Sequence, residues 1–230
     1  LISSRIPKSL QLLQAELRTA NMPLIAYSGA LILDGSGKVL QSIEIPFAIT
    51  NRICTHLSGS ELHFSLYNNS EWVVPALDFW AKREQNNTRI TPDVRPLKET
   101  LELWDHKHQG AHKIMVMGEP VYLDQIEQFI SENFSEQINA YRSKDTYLEI
   151  SNKELDKASA LAFLLSAEYP EIDMEDVMAF GDNYNDQTLL EQVGRGVAVA
   201  NAKPEILEAT PFHTLSNHEH GVAAAIEQYC

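Results

Sequence analysis

Cysteine and positive charge are both scarce in this chain. Its 230 residues include two cysteines, Cys54 and Cys230, which are too few for a disulfide framework and fit a reducing cytoplasm. Lysine and arginine number 18 against 32 aspartates and glutamates, which gives a formal net charge of −14. Non-specific binding to nucleic acid or to an anionic membrane depends on cationic patches, so we expect neither as a partner.

Long apolar runs, internal repeats and low-complexity segments are also lacking. No run approaches the length of a membrane span, and no basic-then-apolar signal peptide is present. Apolar residues at 44% and charged residues at 22% are typical of a globular protein that builds its own core. We therefore expect a soluble cytoplasmic protein, and the sequence does not indicate its oligomeric state.

Strands and helices alternate in the last third of the chain. Apolar runs and helical periodicities there predict strands at 146–150, 177–180 and 196–200 and helices at 157–169, 186–193 and 203–209. Near the amino terminus we predict a helix over 7–20, a strand at 24–27 and a hairpin with its turn at 34–37. Alternation of this kind builds βα units around a parallel sheet.

The middle third has a different pattern. Segments 61–67 and 70–74 flank an Asn-Asn pair and predict antiparallel strands, and a strand at 113–117 precedes a helix at 123–134. We therefore predict an α/β protein. Its parallel-sheet core comprises residues 1–40 and 146–230, and an α+β domain of residues 41–145 is inserted into it.

Residues 180–186 (FGDNYND) place two carboxylates and two amides at the carboxyl end of a predicted strand. Ligands bind at that edge of a parallel sheet, and oxygen donors suit a hard cation such as Mg²⁺. A simpler interpretation makes Asp186 the N-cap of the next helix. A cap does not explain Asp182.

Two other positions could bind an anion. Lys157 begins a predicted helix, where a cation lies at the unfavourable end of the helix dipole unless an anion shares the site. It could instead be a solvated lysine paired with Asp156 or Glu154. Ser3 offers a hydroxyl at a predicted helix start, which suits either an anion site or an ordinary N-cap.

The order and spacing of these segments resemble the Cof-type phosphatases of the haloacid dehalogenase superfamily. The matching family motifs, with the residues that resemble them, are T-G-R (3–5), Y-N-G-A (27–30), L-E-I (148–150) with K-G (from 157), G-D-x-x-N-D (181–186), V-A-M-G-N-A (197–202), T-x-S-N (ending at 217) and G-V-A (221–223). Similarity at both ends of the chain leaves the middle as the variable cap.

The resemblance implies a Rossmann-like core, an α+β cap and a phosphoric monoester hydrolase that uses Mg²⁺ on a small phosphorylated metabolite, such as a sugar phosphate. Ser3 would hydrogen-bond the transferring phosphoryl group, and Lys157 would neutralise the charge that develops on it. Asp182 would ligate Mg²⁺, and Asp186 would hold the metal through water. Asn185 would orient the phosphate or the nucleophile.

Contacts to the substrate are implied for four further residues, namely Ser4, Arg5, Ser28 and Asn201. Ser4 replaces a glycine of the family pattern, and Ser28 replaces an asparagine. The two replacements bear on the identity of the substrate rather than on the fold.

The nucleophile motif of that family, D-x-D-G-T, does not occur in the 230 residues. In the family its first aspartate attacks phosphorus, and the second acts as general acid and then base. The closest imitation here has Ile32 in place of the first aspartate and follows Ser3 instead of preceding it, so we interpret it as a hairpin turn. We expect no turnover from these residues alone, and we favour a fragment of a longer protein over a genuinely headless, inactive one.

Two other functions stay open at this point. A non-catalytic protein that binds a phosphorylated ligand, or is regulated by one, would retain Ser3, Lys157 and Asp182. A phosphomutase would return the phosphoryl group to its substrate. Histidines at 106, 108 and 112 could in principle ligate zinc, but we interpret that polar stretch as a solvated loop.

Overall fold

The structure of the protein, a computed structural model, describes residues 1–229 and divides into two compact units, Leu1–Leu155 and a second that begins at Asp156. The helices of the first unit are α1 (Pro7–Glu16), α2 (Phe47–Leu57), α3 (Phe79–Thr88), α4 (Leu97–His106) and α5 (Pro120–Phe134). Its strands are β1 (Leu24–Ala26), β2 (Leu31–Leu33), β3 (Val39–Ser42), β4 (His63–Asn68), β5 (Glu71–Val74), β6 (Asp93–Val94), β7 (Lys113–Met117), β8 (Ile138–Lys144) and β9 (Tyr147–Asn152).

A small antiparallel sheet, β1-β2-β3, follows the first helix. The predicted hairpin joins β2 to β3, and the Asp34 carboxylate closes its turn by accepting the backbone N–H groups of Ser36 at 2.8 Å and Lys38 at 2.9 Å. Ile2 forms a parallel bridge to Ile25 in β1. The chain before α1 is therefore tied to the edge of this sheet.

The larger sheet of the first unit has six strands in the order β6-β5-β4-β7-β9-β8. Successive side chains of a strand point to opposite faces. Phe64 and Leu66 of β4 accordingly pack into a core under α2, α4 and α5, whereas Tyr67 joins a second core shared with α1, α3 and the small sheet. One face of the six-stranded sheet is thus directed toward the elements that carry Ser3 and Ser28.

The predicted strand at 146–150 exists as β9, but it lies in a different sheet from the one we expected. Met115 of β7 pairs with Glu149, and Met117 pairs with Tyr147, both in antiparallel register. A short apolar run predicts a strand without saying which sheet the strand joins, and that ambiguity produced the error. The boundaries of the inserted domain stay a prediction.

The second unit contains the parallel sheet that the sequence predicts. Its strands are β10 (Met178–Gly181), β11 (Arg195–Val199) and β12 (Phe212–Thr214), and its helices are α6 (Lys157–Glu168), α7 (Gln187–Gln192), α8 (Pro204–Glu208) and α9 (Gly221–Tyr229). The three strands are parallel, in the order β10-β11-β12. Within residues 1–229, no helix has the length and apolar character needed to cross a membrane.

The solvated-loop interpretation of the three histidines is wrong for His112. Its side chain is completely buried, because it directly precedes the buried strand β7. Nδ1 accepts the backbone N–H of Asn69 at 3.0 Å, so Nε2 carries the proton and donates to Ser42 Oγ at 3.0 Å. The ring stacks on Tyr27 with centroids 5.5 Å apart.

Burial makes the stability of the protein depend on the protonation of His112. It lowers the pKa of this imidazole from 6.5 to about 4. Because the folded-state pKa lies below the unfolded value, the stabilisation is complete above the unfolded pKa and is lost as the pH falls toward the folded one. We expect the free energy of unfolding to fall by about 2 kcal/mol between pH 7.5 and pH 5. In urea unfolding, His112→Asn should be less stable than the wild type at pH 7.5, but its free energy of unfolding should change less with pH. A variant whose free energy of unfolding depends on pH as steeply as that of the wild type would show that His112 is not the group responsible.

Candidate active site

The carboxylate of Asp186 organises the loop that follows β10. Asp186 is buried at the end of a short 3-10 turn, Tyr184–Asp186. Its Oδ2 accepts the backbone N–H groups of Asp182 at 3.1 Å and Asn183 at 3.2 Å. Asp186 does stand at the N-cap position of α7, but its side chain makes no capping bond to that helix. The carboxylate therefore points back into the loop instead of capping α7.

The ammonium of Lys157 donates to Oδ1 of Asp186, and both side chains are buried. Asp156 caps α6 by accepting the N–H groups of Ala158 and Ser159, so the first turn of the helix is satisfied without the lysine. The pairing with Asp156 or Glu154 is not observed. A buried ion pair often contributes little net stability, because both ions lose their hydration. This pair is therefore better explained by a chemical role than by folding.

Gly181 makes room for Asp186. A Cβ atom on Gly181 would lie 2.5 Å from Cβ and 2.9 Å from Cγ of Asp186, closer than such atoms can approach. A side chain at this position would displace the carboxylate that holds the loop. The glycine of the loop is thus required by close packing.

Gly181→Ala is consequently expected to break the Lys157–Asp186 ion pair. Overpacking together with separation of a buried pair should lower the free energy of unfolding by roughly 3 kcal/mol, measured by urea denaturation. Gly118→Ala is the matched control, because its added Cβ would meet the flexible Leu62 Cδ2 at 2.4 Å, which can turn away. Equal losses in the two variants would show that Asp186 is not the critical contact.

Asp182 carries the free carboxylate of this loop. Its side chain is exposed and has no partner within residues 1–229, while its backbone carbonyl accepts the N–H of Lys203 at 3.0 Å. Mg²⁺ prefers oxygen donors and usually keeps several waters, binding through one or two carboxylates and substrate phosphate. No group of three His, Cys, Asp or Glu side chains capable of holding a metal occurs in the described chain. The donors present fit such a partly hydrated ion: Asp182 would be the direct ligand, and Asp186 is already engaged by Lys157 and the loop N–H groups.

The two predicted asparagines lie in the same unit. Asn185 is half-buried inside the 3-10 turn. Asn201 is exposed, and its Oδ1 accepts the backbone N–H of Asn217 at 2.8 Å. This bond joins the loop after β11 to the closing T-x-S-N segment, so Asn201 holds together two of the segments that carry the resemblance.

In the first unit, two backbone hydrogen bonds join the turn at residues 3–5 to the turn at residues 27–29. The N–H of Ser28 donates to the Ser3 carbonyl at 2.9 Å, and the N–H of Tyr27 donates to the Arg5 carbonyl at 3.3 Å. The N–H of Arg5 donates to Ser3 Oγ at 3.3 Å. The N-cap of α1 is Ile6, so Ser3 does not cap that helix.

The backbone is strained at the second of these turns. Tyr27 has a φ of 52° and Ser28 a φ of 57°, both in the left-handed region that residues with a Cβ seldom occupy. Such strain persists where the surrounding structure imposes it and is concentrated at functional sites. It supports a functional role for the segment that contains Ser28.

The side chain of Arg5 extends away from these turns. Its guanidinium is 3.4 Å from both Ser9 Oγ and the Asn87 carbonyl, near the end of α3. A cation is favourable at a helix C-terminus, which is sufficient to explain the position. The role of Arg5 in substrate binding stays a prediction.

Lys113 is the residue of this region that sequence reasoning missed. Its ammonium is buried and donates to the Ser4 carbonyl at 2.9 Å, with Glu149 Oε2 3.7 Å away. The sequence shows it only as the first residue of an apolar strand. A lysine is almost never buried without a partner, so its position in such a strand was the available signal.

The chain is similar to known proteins over most of its length. The family model described as haloacid dehalogenase-like hydrolase matches residues 1–226. Phosphatase YwpJ of Bacillus subtilis is 37% identical in an alignment of 221 positions, and the alignment covers 87% of this chain and 76% of that protein. A haloacid dehalogenase-like hydrolase from Bacteroides thetaiotaomicron has a TM-score of 0.88 at 26% identity, over 100% of this chain and 86% of its own. TM0651 from Thermotoga maritima has a TM-score of 0.85 at 27% identity, over 100% and 84%.

Proposed function

Because this chain belongs to the haloacid dehalogenase-like hydrolase family, we propose that the protein hydrolyses a small phosphomonoester with the help of Mg²⁺ and through an aspartyl-phosphate. The substrate would be a sugar phosphate or a related metabolite. The buried Lys157–Asp186 pair beside the free carboxylate of Asp182 is the observation that carries the proposal. It sets a cation and an exposed carboxylate at the carboxyl end of a parallel strand, the edge at which ligands bind in open α/β sheets.

The proposed reaction has two displacements. A carboxylate oxygen of the D-x-D motif attacks phosphorus, the bond to the leaving oxygen breaks, and the second carboxyl group gives that oxygen a proton. Water then attacks the same phosphorus and loses a proton to the second carboxylate, which releases inorganic phosphate and restores the first carboxylate. Neither carboxylate is among these 230 residues, so the proposal concerns a protein that supplies them.

The residues that are present would bind and orient the phosphoryl group. Lys157 brings a fixed positive charge for the equatorial oxygens, on which negative charge accumulates during transfer. Ser3 offers a hydroxyl donor, and Asp182 would hold Mg²⁺, whose charge offsets that of the phosphate when the ion is bound. A local cation is needed here because the net charge of −14 repels a phosphorylated substrate.

Release of phosphate by the natural protein tests this function. Its intact mass and amino-terminal sequence should first show whether D-x-D precedes Leu1. If the motif is present, we expect hydrolysis of p-nitrophenyl phosphate that requires Mg²⁺ and disappears with a chelator. Absence of metal-dependent turnover would refute the enzyme proposal and favour a phosphate-binding protein, and transfer of phosphate back to a sugar would identify a mutase.

We further propose that residues 41–145 form a cap that selects the leaving group, and that the reaction takes place in the cytoplasm. The α+β character of this segment supports the first proposal, since its helices and strands differ in arrangement from the parallel βα units. The second is supported by Cys54, a buried free thiol.

A further inference from the structure

Lys113 lies in an environment that a folding role does not explain well. Its side chain extends from β7 between two aromatic rings, with Nζ 4.9 Å from the Tyr67 ring centroid and 5.9 Å from that of Tyr27. Glu149 is its nearest carboxylate, yet the separation of 3.7 Å is too long for a strong hydrogen bond. Burying a loosely paired ammonium carries a large desolvation cost that an apolar side chain of similar volume would avoid.

The short bond of Lys113 goes to the backbone of the turn that contains Ser3. Nζ donates to the Ser4 carbonyl at 2.9 Å, across 109 residues of sequence. That carbonyl belongs to the same peptide group as the N–H of Arg5, which donates to Ser3 Oγ at 3.3 Å. A cation on the carbonyl side of a peptide fixes its plane and strengthens its N–H as a donor.

These hydrogen bonds determine whether the Ser3 hydroxyl is available as a donor. Oγ already accepts the N–H of Arg5, so its own proton is free to donate. A phosphoryl oxygen needs such a donor. The hydroxyl is therefore positioned to donate to an anion only while the peptide between Ser4 and Arg5 keeps its orientation.

We infer that Lys113 is a positioning residue for phosphate, acting through the Ser4–Arg5 peptide on the hydroxyl of Ser3. The inference deepens the proposed function and rests on it for the identity of the anion. Lys113 needs no contact with phosphate in this role, because the effect is transmitted by the peptide. Its loss should therefore weaken phosphate binding only when Ser3 is present.

A double-mutant cycle on inorganic phosphate binding tests the inference, using the natural full-length protein and isothermal titration calorimetry. Lys113→Met and Ser3→Ala should each raise the Kd for phosphate roughly tenfold, the effect of one hydrogen bond to an anion. In the Ser3→Ala background, Lys113→Met should add less than about a twofold further loss. Additive effects of the two substitutions on the free energy of phosphate binding would overturn the inference. A purely structural role of Lys113 would weaken phosphate binding equally with and without the Ser3 hydroxyl.

Two controls keep the outcome interpretable. Lys98→Met removes an exposed lysine, 86% accessible, whose one ion pair within residues 1–229 is with Glu102 on α4, and it should leave the Kd unchanged. Lys113→Met leaves Glu149 as an unpaired carboxylate. If the variant fails to fold for that reason, the cycle is measured in the Glu149→Gln background instead. The Kd for phosphate of Lys113→Met/Glu149→Gln is then compared with that of Glu149→Gln, with and without Ser3→Ala.

Phosphate binding also separates this inference from the proposed function. A wild-type protein that binds phosphate but does not hydrolyse esters would refute the hydrolase while leaving the cycle intact. A wild-type protein that binds no phosphate would overturn the inference about Lys113.

Discussion

Replacing Lys157 by methionine is expected to lower kcat for phosphomonoester hydrolysis by about a thousandfold in the natural protein. Removing one preorganised donor at a developing negative charge typically costs two to three orders of magnitude in rate. The ammonium of Lys157 is buried in the second unit, where water screens it poorly. Steady-state kinetics with p-nitrophenyl phosphate at saturating Mg²⁺ measure the effect.

The same substitution leaves Asp186 as a buried carboxylate without its cation. Removing one partner of a buried pair costs about 3–5 kcal/mol of stability, so lost activity could come from lost structure. Lys157→Met/Asp186→Asn removes that uncompensated charge, and the amide oxygen can still accept the N–H groups of Asp182 and Asn183. We expect this double variant to regain most of the stability and to stay inactive.

Recovery of activity in the double variant would show that Lys157 serves only to pair with Asp186. Lys8→Met provides the matched control, because Lys8 is exposed on α1 and makes no ion pair in the described residues. It should retain wild-type kcat and KM.

The sequence was sufficient for the parallel sheet of the second unit and the loop after β10. Residues 177–180 form an uninterrupted apolar run that ends at a glycine, and such a pattern has few alternatives to a buried strand followed by a turn. The lysine at the start of α6 was conspicuous because it opposes the helix dipole. Its partner could not be identified, since Asp186 lies 29 residues away and an exposed pairing with Asp156 was equally compatible with the pattern.

Other features depend on contacts that a single sequence does not encode locally. Strand β8 was missed because it is an edge strand of mostly polar residues, and only Ile138 in it is fully buried. Strand β9 was placed in the wrong sheet because pairing partners are set by tertiary packing rather than by apolar content. The role of Lys113 depends on a carbonyl that is 109 residues away. Long-range polar contacts of this kind could not be predicted from the sequence.

Asp182→Asn should weaken the binding of Mg²⁺ without affecting the fold. An amide is close in shape to a carboxylate but is neutral, and it binds a hard cation much more weakly. We expect kcat/KM to fall by two to three orders of magnitude and the Mg²⁺ concentration for half-maximal rate to rise by at least about tenfold. The free energy of unfolding should change by less than about 0.5 kcal/mol, because the carboxylate is exposed and has no partner in residues 1–229.

Glu208→Gln is the matched carboxylate-to-amide control, since Glu208 is exposed on α8 and its side chain makes no hydrogen bond in the described residues. It should leave the Mg²⁺ dependence unchanged. Asp182→Asn with a wild-type Mg²⁺ profile would exclude Asp182 as a metal ligand, because no other carboxylate of this loop is free. Loss of activity together with loss of stability would instead show that the carboxylate supports the loop. The contrast with Lys157→Met follows from burial. Loss of the buried lysine should change both stability and rate, whereas loss of the exposed carboxylate should change the rate alone.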